Sequence, residues 1–95
     1  MTDKLDINLR IGSEVMTITI NRSEEQLLRD VAQKVNHVYR AYAERFPKSS
    51  EAEVMAKVTL LFAKGYLTMA HQSEELESVI QDFENDLDRL LEAGS

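Results

Sequence analysis

Cysteine is absent from this chain of 95 residues, which excludes a disulfide framework and every thiolate metal site and accords with a reducing compartment. One proline and three glycines leave little room for loops, so mostly regular structure is expected. No apolar run approaches the roughly 20 residues of a membrane span, and the opening MTDKLDINLR lacks the apolar centre of a signal peptide. A soluble cytoplasmic protein with no membrane partner is expected. Basic clusters are missing as well. With a net charge of -6 the chain is a poor match for nucleic acid, because phosphate neutralisation supplies most of that affinity.

The residues of catalysis are equally sparse. His37 and His71 stand on different expected helices without a neighbouring His, and a lone His is usually structural or exposed. No Ser/His/acid spacing is interpretable and no glycine-rich loop follows a strand; the only Gly-Lys order is reversed, as KG in mid-helix. The segment DFENDLDRLLEA places Asp82, Glu84 and Asp86 at the first three ligand positions of a calcium loop. Leu87 then stands where the turn glycine belongs and Ala93 where the bidentate Glu belongs. No enzyme activity, catalytic residue, cofactor, metal or small-molecule substrate is expected. A metal-dependent enzyme built on His71 and nearby acids is the reading to be tested against this, by metal retention through gel filtration.

What is present falls into two unequal parts. Residues 1–73 carry ten Lys/Arg against nine Asp/Glu, whereas residues 74–95 carry Arg89 alone against eight acids. The acidity is therefore a property of the tail. At this length one domain buries roughly two-thirds of its unfolded surface, so its core is small and a second chain would help it.

Leu5, Ile7, Leu9 and Ile11 alternate with Asp6, Asn8 and Arg10, and Met16, Ile18 and Ile20 repeat the pattern. This period of two predicts a hairpin over about residues 4–20 with one wet face, turning at Gly12-Ser13-Glu14. Ser23 and Gln26 then form a capping box, predicting a helix over about 23–46 with Leu27, Val31, Val35, Val38, Tyr42 and Phe46 on its buried face. Pro47 ends it, and PKSS connects. Ser50 and Glu53 form a second box, after which only Gly65 interrupts a helical pattern from Glu51 to Leu91. One unbroken helix of 41 residues would measure about 60 Å.

Heptads in that segment place Ala52, Thr59, Tyr66, Ser73, Ile80 and Leu87 at one seam position and Met55, Phe62, Met69, Leu76, Phe83 and Leu90 at the other. A second apolar face, Val54, Val58, Leu61 and Gly65, suits packing on the first helix and hairpin. Met55 and Met69, at helical spacing, read as core. The stripe Leu76, Ile80, Phe83, Leu87 and Leu90 is expected to have no partner in its own chain and to meet another chain in a coiled coil. The expected class is α+β: a head over residues 1–67 (hairpin, short helix and the first part of the long helix) and a coiled-coil tail over 68–95. Arg40, Arg45 and Lys48 gather near the end of the first helix, as a solvated rim or as a dock for an acidic partner.

The hairpin ending in IG, the helix carrying VAQKVNHVYRAY, the connector RFPKSS, the helix beginning EVMAKVTLLFAKGYL and the heptad tail together resemble the ZapA family of bacterial cell-division proteins. The resemblance implies a cytoplasmic, non-enzymatic protein at the division septum. It also implies head-to-head homodimers that pair through the long helices into homotetramers and cross-link filaments of the tubulin-like GTPase FtsZ, stabilising the Z-ring. By position it implies FtsZ contacts at Arg45 and Lys48, with Arg40 beside them and Arg10 the nearest cation to the turn. The turn departs from the family, reading Ser13-Glu14 where some relatives place a basic residue and Ile11 where an aromatic is common. The tail is also shorter than in the longer members. The competing reading is a general coiled-coil adaptor that receives a partner helix at Ile80, Phe83 and Leu87.

Overall fold

The computed structural model describes residues 3–94, with side chains undescribed at 74 and 89–94. Strand β1 (Lys4–Ile11) pairs antiparallel with β2 (Glu14–Asn21), from Lys4 opposite Asn21 to Ile11 opposite Glu14. The turn is Gly12-Ser13, and among the described residues Gly12 alone has a positive φ, 62°. Positive φ at the first turn residue only is the pattern of a type II′ hairpin turn, which glycine adopts without steric cost. The expected alternation is realised: Ile7, Leu9, Ile18 and Ile20 are buried, with Leu5, Ile11 and Leu28 packed against them. On the wet face the Thr17 hydroxyl donates to Asn8 and that of Thr19 to Asp6, each at 2.6 Å.

A short 3-10 turn, Arg22–Glu24, leads into α1 (Glu25–Arg45). Here the expected Ser23/Gln26 box is corrected: the box lies on the 3-10 turn ahead of α1, capped by Asn21, whose backbone N–H donates to the Glu24 carboxylate at 3.1 Å. The earlier start follows from the hairpin, since Arg22 N–H is already held by the Asp3 carbonyl at 2.7 Å. The inner face of α1 is corrected too. Ala32 is buried and Leu28 packs on the sheet, while Leu27 and Val31 are 55% and 47% exposed. The sheet is covered by the row one position further along the helix.

After Phe46 and the connector, α2 (Glu51–Ala70) opens on the expected Ser50/Glu53 box: Glu53 N–H donates to the Ser50 hydroxyl at 3.1 Å and Ser50 N–H returns to the Glu53 carboxylate at 3.3 Å. Val54 and Val58 are 1% and 2% exposed, while Leu61 on the same expected face stays open at 41%.

The unbroken helix from Glu51 to Leu91 is not found. It stops at Ala70, turns through His71, Gln72 and Ser73, and resumes as α3 (Glu74–Gly94). The Ser73 hydroxyl accepts Leu76 N–H at 3.2 Å, capping the new start. Helix α3 then rests against β2 and, less extensively, α2. The longest dimension of the molecule is accordingly 49 Å, less than the about 60 Å of a continuous helix. The physical reason is burial. Folding back brings Ile80 to 8% exposure within its own chain, where a straight helix would leave its stripe wet at about 1.5 to 3 kcal/mol per large side chain.

Candidate partner-binding surfaces

The hairpin turn is fastened to both helices beneath it. Asn36 of α1 accepts Gly12 N–H and donates to the Arg10 carbonyl, both at 2.8 Å. From the first turn of α2, Glu51 accepts Ser13 N–H at 2.9 Å and the Ser13 hydroxyl at 2.5 Å. Arg10 folds back, its Nη1 donating to the Gly12 carbonyl at 2.9 Å. These bonds form a groove of about 400 Å3 lined by Arg10, Gly12, Ser13, Asn36, Tyr39, Arg40 and Glu51. Two of the four sequence-predicted cations, Arg10 and Arg40, thus share one site despite lying 30 positions apart.

Arg45 lies in a second groove. Its guanidinium is 5.9 Å from the Tyr42 ring centre and 5.5 Å from that of Phe46, within cation–π range. Lys57 reaches over the same Phe46 ring at 4.8 Å, and the two rings meet edge to face at 6.5 Å. Lys64, Leu60 and Leu61 complete this groove of about 320 Å3. Lys48 is exposed in the connector and lines neither groove. Sequence reading missed Lys57 and Lys64, although their seven-residue spacing puts them on one helical face. It also missed Asn36 and Glu51, whose partners lie 24 and 38 positions away.

The seam residues fall on both sides of the fold-back. A largely apolar groove of about 920 Å3 is lined by Ile11, Val31, Val35 and Met55 together with Phe62, Tyr66 and Leu87 of the seam. The Tyr66 hydroxyl lies 3.2 Å from the Ile80 carbonyl and bonds to the Glu84 carboxylate. Desolvation, and secondarily the bond to Glu84 and its negative charge, push the Tyr66 phenol up to about 12. Leu76 is half-buried and Ile80 buried, but Met69, Phe83 and Leu87 remain more than half exposed; the Leu90 side chain lies outside the described residues. The expectation that this stripe has no partner in its own chain is therefore corrected: with α3 resting on β2 and α2, Ile80 is buried and Leu76 half-buried, while Phe83 and Leu87 stay open.

Among the described residues no helix is long and apolar enough to cross a membrane and no group of three or more His, Asp and Glu could hold a metal ion. The described residues thus form an α+β fold of a hairpin and three α-helices, carrying cation-rimmed grooves and a largely apolar groove. Residues 7–93 match the family model described as Cell division protein ZapA. No individual curated protein and no solved structure matches significantly. With nearly its whole length matched, the chain belongs to the ZapA family and is a cell-division protein associated with the Z-ring.

Proposed function

We propose that this chain acts without catalysis, in the cytoplasm at the division septum, by binding FtsZ filaments and cross-linking them as an oligomer. The observation that carries the reading, beside family membership, is the gathering of cations into two grooves, one at the turn, α1 and the start of α2, the other between the end of α1 and the middle of α2. Each groove is small, so each contact is weak alone. A particle with two such ends holds two filaments because its second contact forms at high effective concentration. Head dimers, and tetramers paired through the helices, would supply that bivalency. Arg45 and Lys48 are the assigned contacts, with Arg40 and Arg10 on the neighbouring groove.

The test is sedimentation of FtsZ polymerised with GTP, with and without the protein. Co-pelleting with an enlarged polymer fraction is expected. Arg45→Glu with Lys48→Glu should lower co-pelleting at least ten-fold, as reversal of charges in an electrostatic contact does; intact bundling by that variant would reject the assignment. Exposure of Phe83 and Leu87 beside the apolar groove favours the adaptor as a second reading. It predicts no effect on filaments across low and physiological salt.

A further inference from the structure

The groove that holds Arg45 lies off the helical seam. On α2 it is lined by Lys57, Leu60, Leu61 and Lys64, whereas the seam runs through Met55, Thr59, Phe62 and Tyr66. A helix laid along the seam therefore leaves this groove open, whatever the number of chains.

The groove combines open apolar surface with charge of one sign. Tyr42 and Phe46 are half-buried at the end of α1, and across from them Leu60 and Leu61 are 71% and 41% exposed. Among the described residues Leu60 is the most exposed large apolar side chain. Arg45, Lys57 and Lys64 complete the lining, and no carboxylate joins it, in a chain of net charge -6. Among the described residues none of these three cations is in an ion pair; the charge of Lys57 is felt by the Glu53 carboxyl one turn back. The Phe46 ring holds both Arg45 and Lys57, and that of Tyr42 also holds Arg45. Two of the three charges are thus in place before a ligand arrives, which lowers the ordering cost of binding.

We propose that this groove is a docking site for a linear acidic peptide. One large apolar side chain of the peptide packs on Leu60, Leu61 and Phe46, while carboxylates on either side of it pair with Arg45, Lys57 and Lys64. Charge complementarity selects the sign, and the exposed leucines select an apolar anchor between the acids. Cations drawn from two helices call for several separated negative charges, which neighbouring Asp and Glu supply and a single phosphate does not. A net charge of -6 repels the broad anionic surface of a membrane or nucleic acid, whereas a short peptide meets only this positive rim. The site shares Arg45 with the filament contact proposed above but goes beyond that reading, since neither a polymer nor a second copy is needed to fill it.

The test uses the full chain and a fluorescein-labelled peptide, Gly-Ser-Glu-Asp-Phe-Asp-Glu-Ser-Gly, followed by anisotropy at low and physiological salt, with amide NMR shifts locating the site. Saturable binding is expected, with shifts concentrated at residues 57–64 and affinity falling as salt rises. Leu60→Ser, or Gly in place of the peptide's Phe, should weaken binding roughly five-fold or more. Lys57→Gln with Lys64→Gln should weaken it about ten-fold. Leu60 and Lys64 are exposed, so Leu60→Ser and Lys64→Gln alone report the contact without disturbing the core. Absence of saturable binding, shifts confined to the Arg10 and Arg40 groove, or binding indifferent to loss of the Phe would overturn the proposal. Phosphatidylglycerol vesicles should not bind; binding to them and not to the peptide would assign the groove to a lipid surface instead. FtsZ sedimentation on the same protein keeps the two readings apart. Co-pelleting without peptide binding rejects the docking site alone, and peptide binding without co-pelleting upholds it and rejects the filament reading.

Discussion

Gly12 shows how much a single residue can be asked to carry. A Cβ there would lie 2.7 Å from Met55 Cε and 2.8 Å from Glu51 Oε1, on a backbone of positive φ. The Met55 methyl can move, but the backbone conformation cannot be relieved without losing the turn. Gly12→Ala is therefore expected to cost about 1 to 3 kcal/mol, measurable as a fall in the urea midpoint with unchanged slope. Tyr66 supplies a pH signature at the same scale. Its phenol ionises ordinarily near 10.0 and here near 12, so the folded chain favours the protonated form. The resulting stability is complete below pH 10 and is lost between about pH 10 and 12. Glu84 of α3 and Lys34 of α1 are the charged groups lining the groove around it. Removing the phenol in Tyr66→Phe should flatten that part of the stability profile, as followed by denaturant melts at each pH.

At the scale of the element, capping decides where helices begin. The start of α2 is secured by Ser50 and Glu53 across exposed positions, so its contribution is local. Ser50→Ala should lower stability by about 1 kcal/mol. Hydrogen bonds from Ser50, first its backbone N–H and then its hydroxyl, hold the Glu53 carboxyl below its ordinary 4.5, helped by the charge of Lys57. Such a depressed group stabilises the fold above the ordinary carboxyl range, and that stability is lost as pH falls through the folded value. Calorimetric melts across the acid limb should show a shallower loss in the Ser50→Ala variant, with the backbone share retained. The hairpin is the opposite case. Two strands alone are marginal, and these persist because α1 covers β1 and α3 covers β2.

On the scale of the whole molecule, charge and apolar surface pull against each other. Residues 74–95 hold eight acids against one Arg, and any dimer that brings two such segments together sets like charges beside its apolar contact. Salt screens that repulsion over about 10 Å at 0.1 M while leaving apolar burial in place. Self-association should accordingly tighten as salt rises from low to high, by sedimentation equilibrium; weakening with salt would show that head-to-tail ion pairs dominate. The cation-rimmed grooves predict the reverse for filament binding. Screening there removes attraction, so co-pelleting with FtsZ should decline with salt while the oligomer strengthens.

The sequence by itself determined the hairpin, its turn, the C-terminal end of α1 and the cap of α2. These depend on period-two alternation, one glycine, one proline and two residues three apart, all of which act within a few positions. It also supplied the apolar register of the 41 residues from Glu51 to Leu91. What that register faces was decided by tertiary structure. A seam is equally satisfied by a second chain or by its own β2, and the choice depends on whether residues 71–73 bend, which no proline or glycine announces. The same holds for the grooves: Arg10 and Arg40 share one groove because Asn36 and Glu51 clamp the turn, and Arg45 and Lys57 share the Phe46 ring because α1 packs on α2. Local pattern sets each element's type, but the face of α1 that turns inward and the contacts between distant positions follow from how limited apolar surface is shared among the elements, and that balance exists only once the chain is folded.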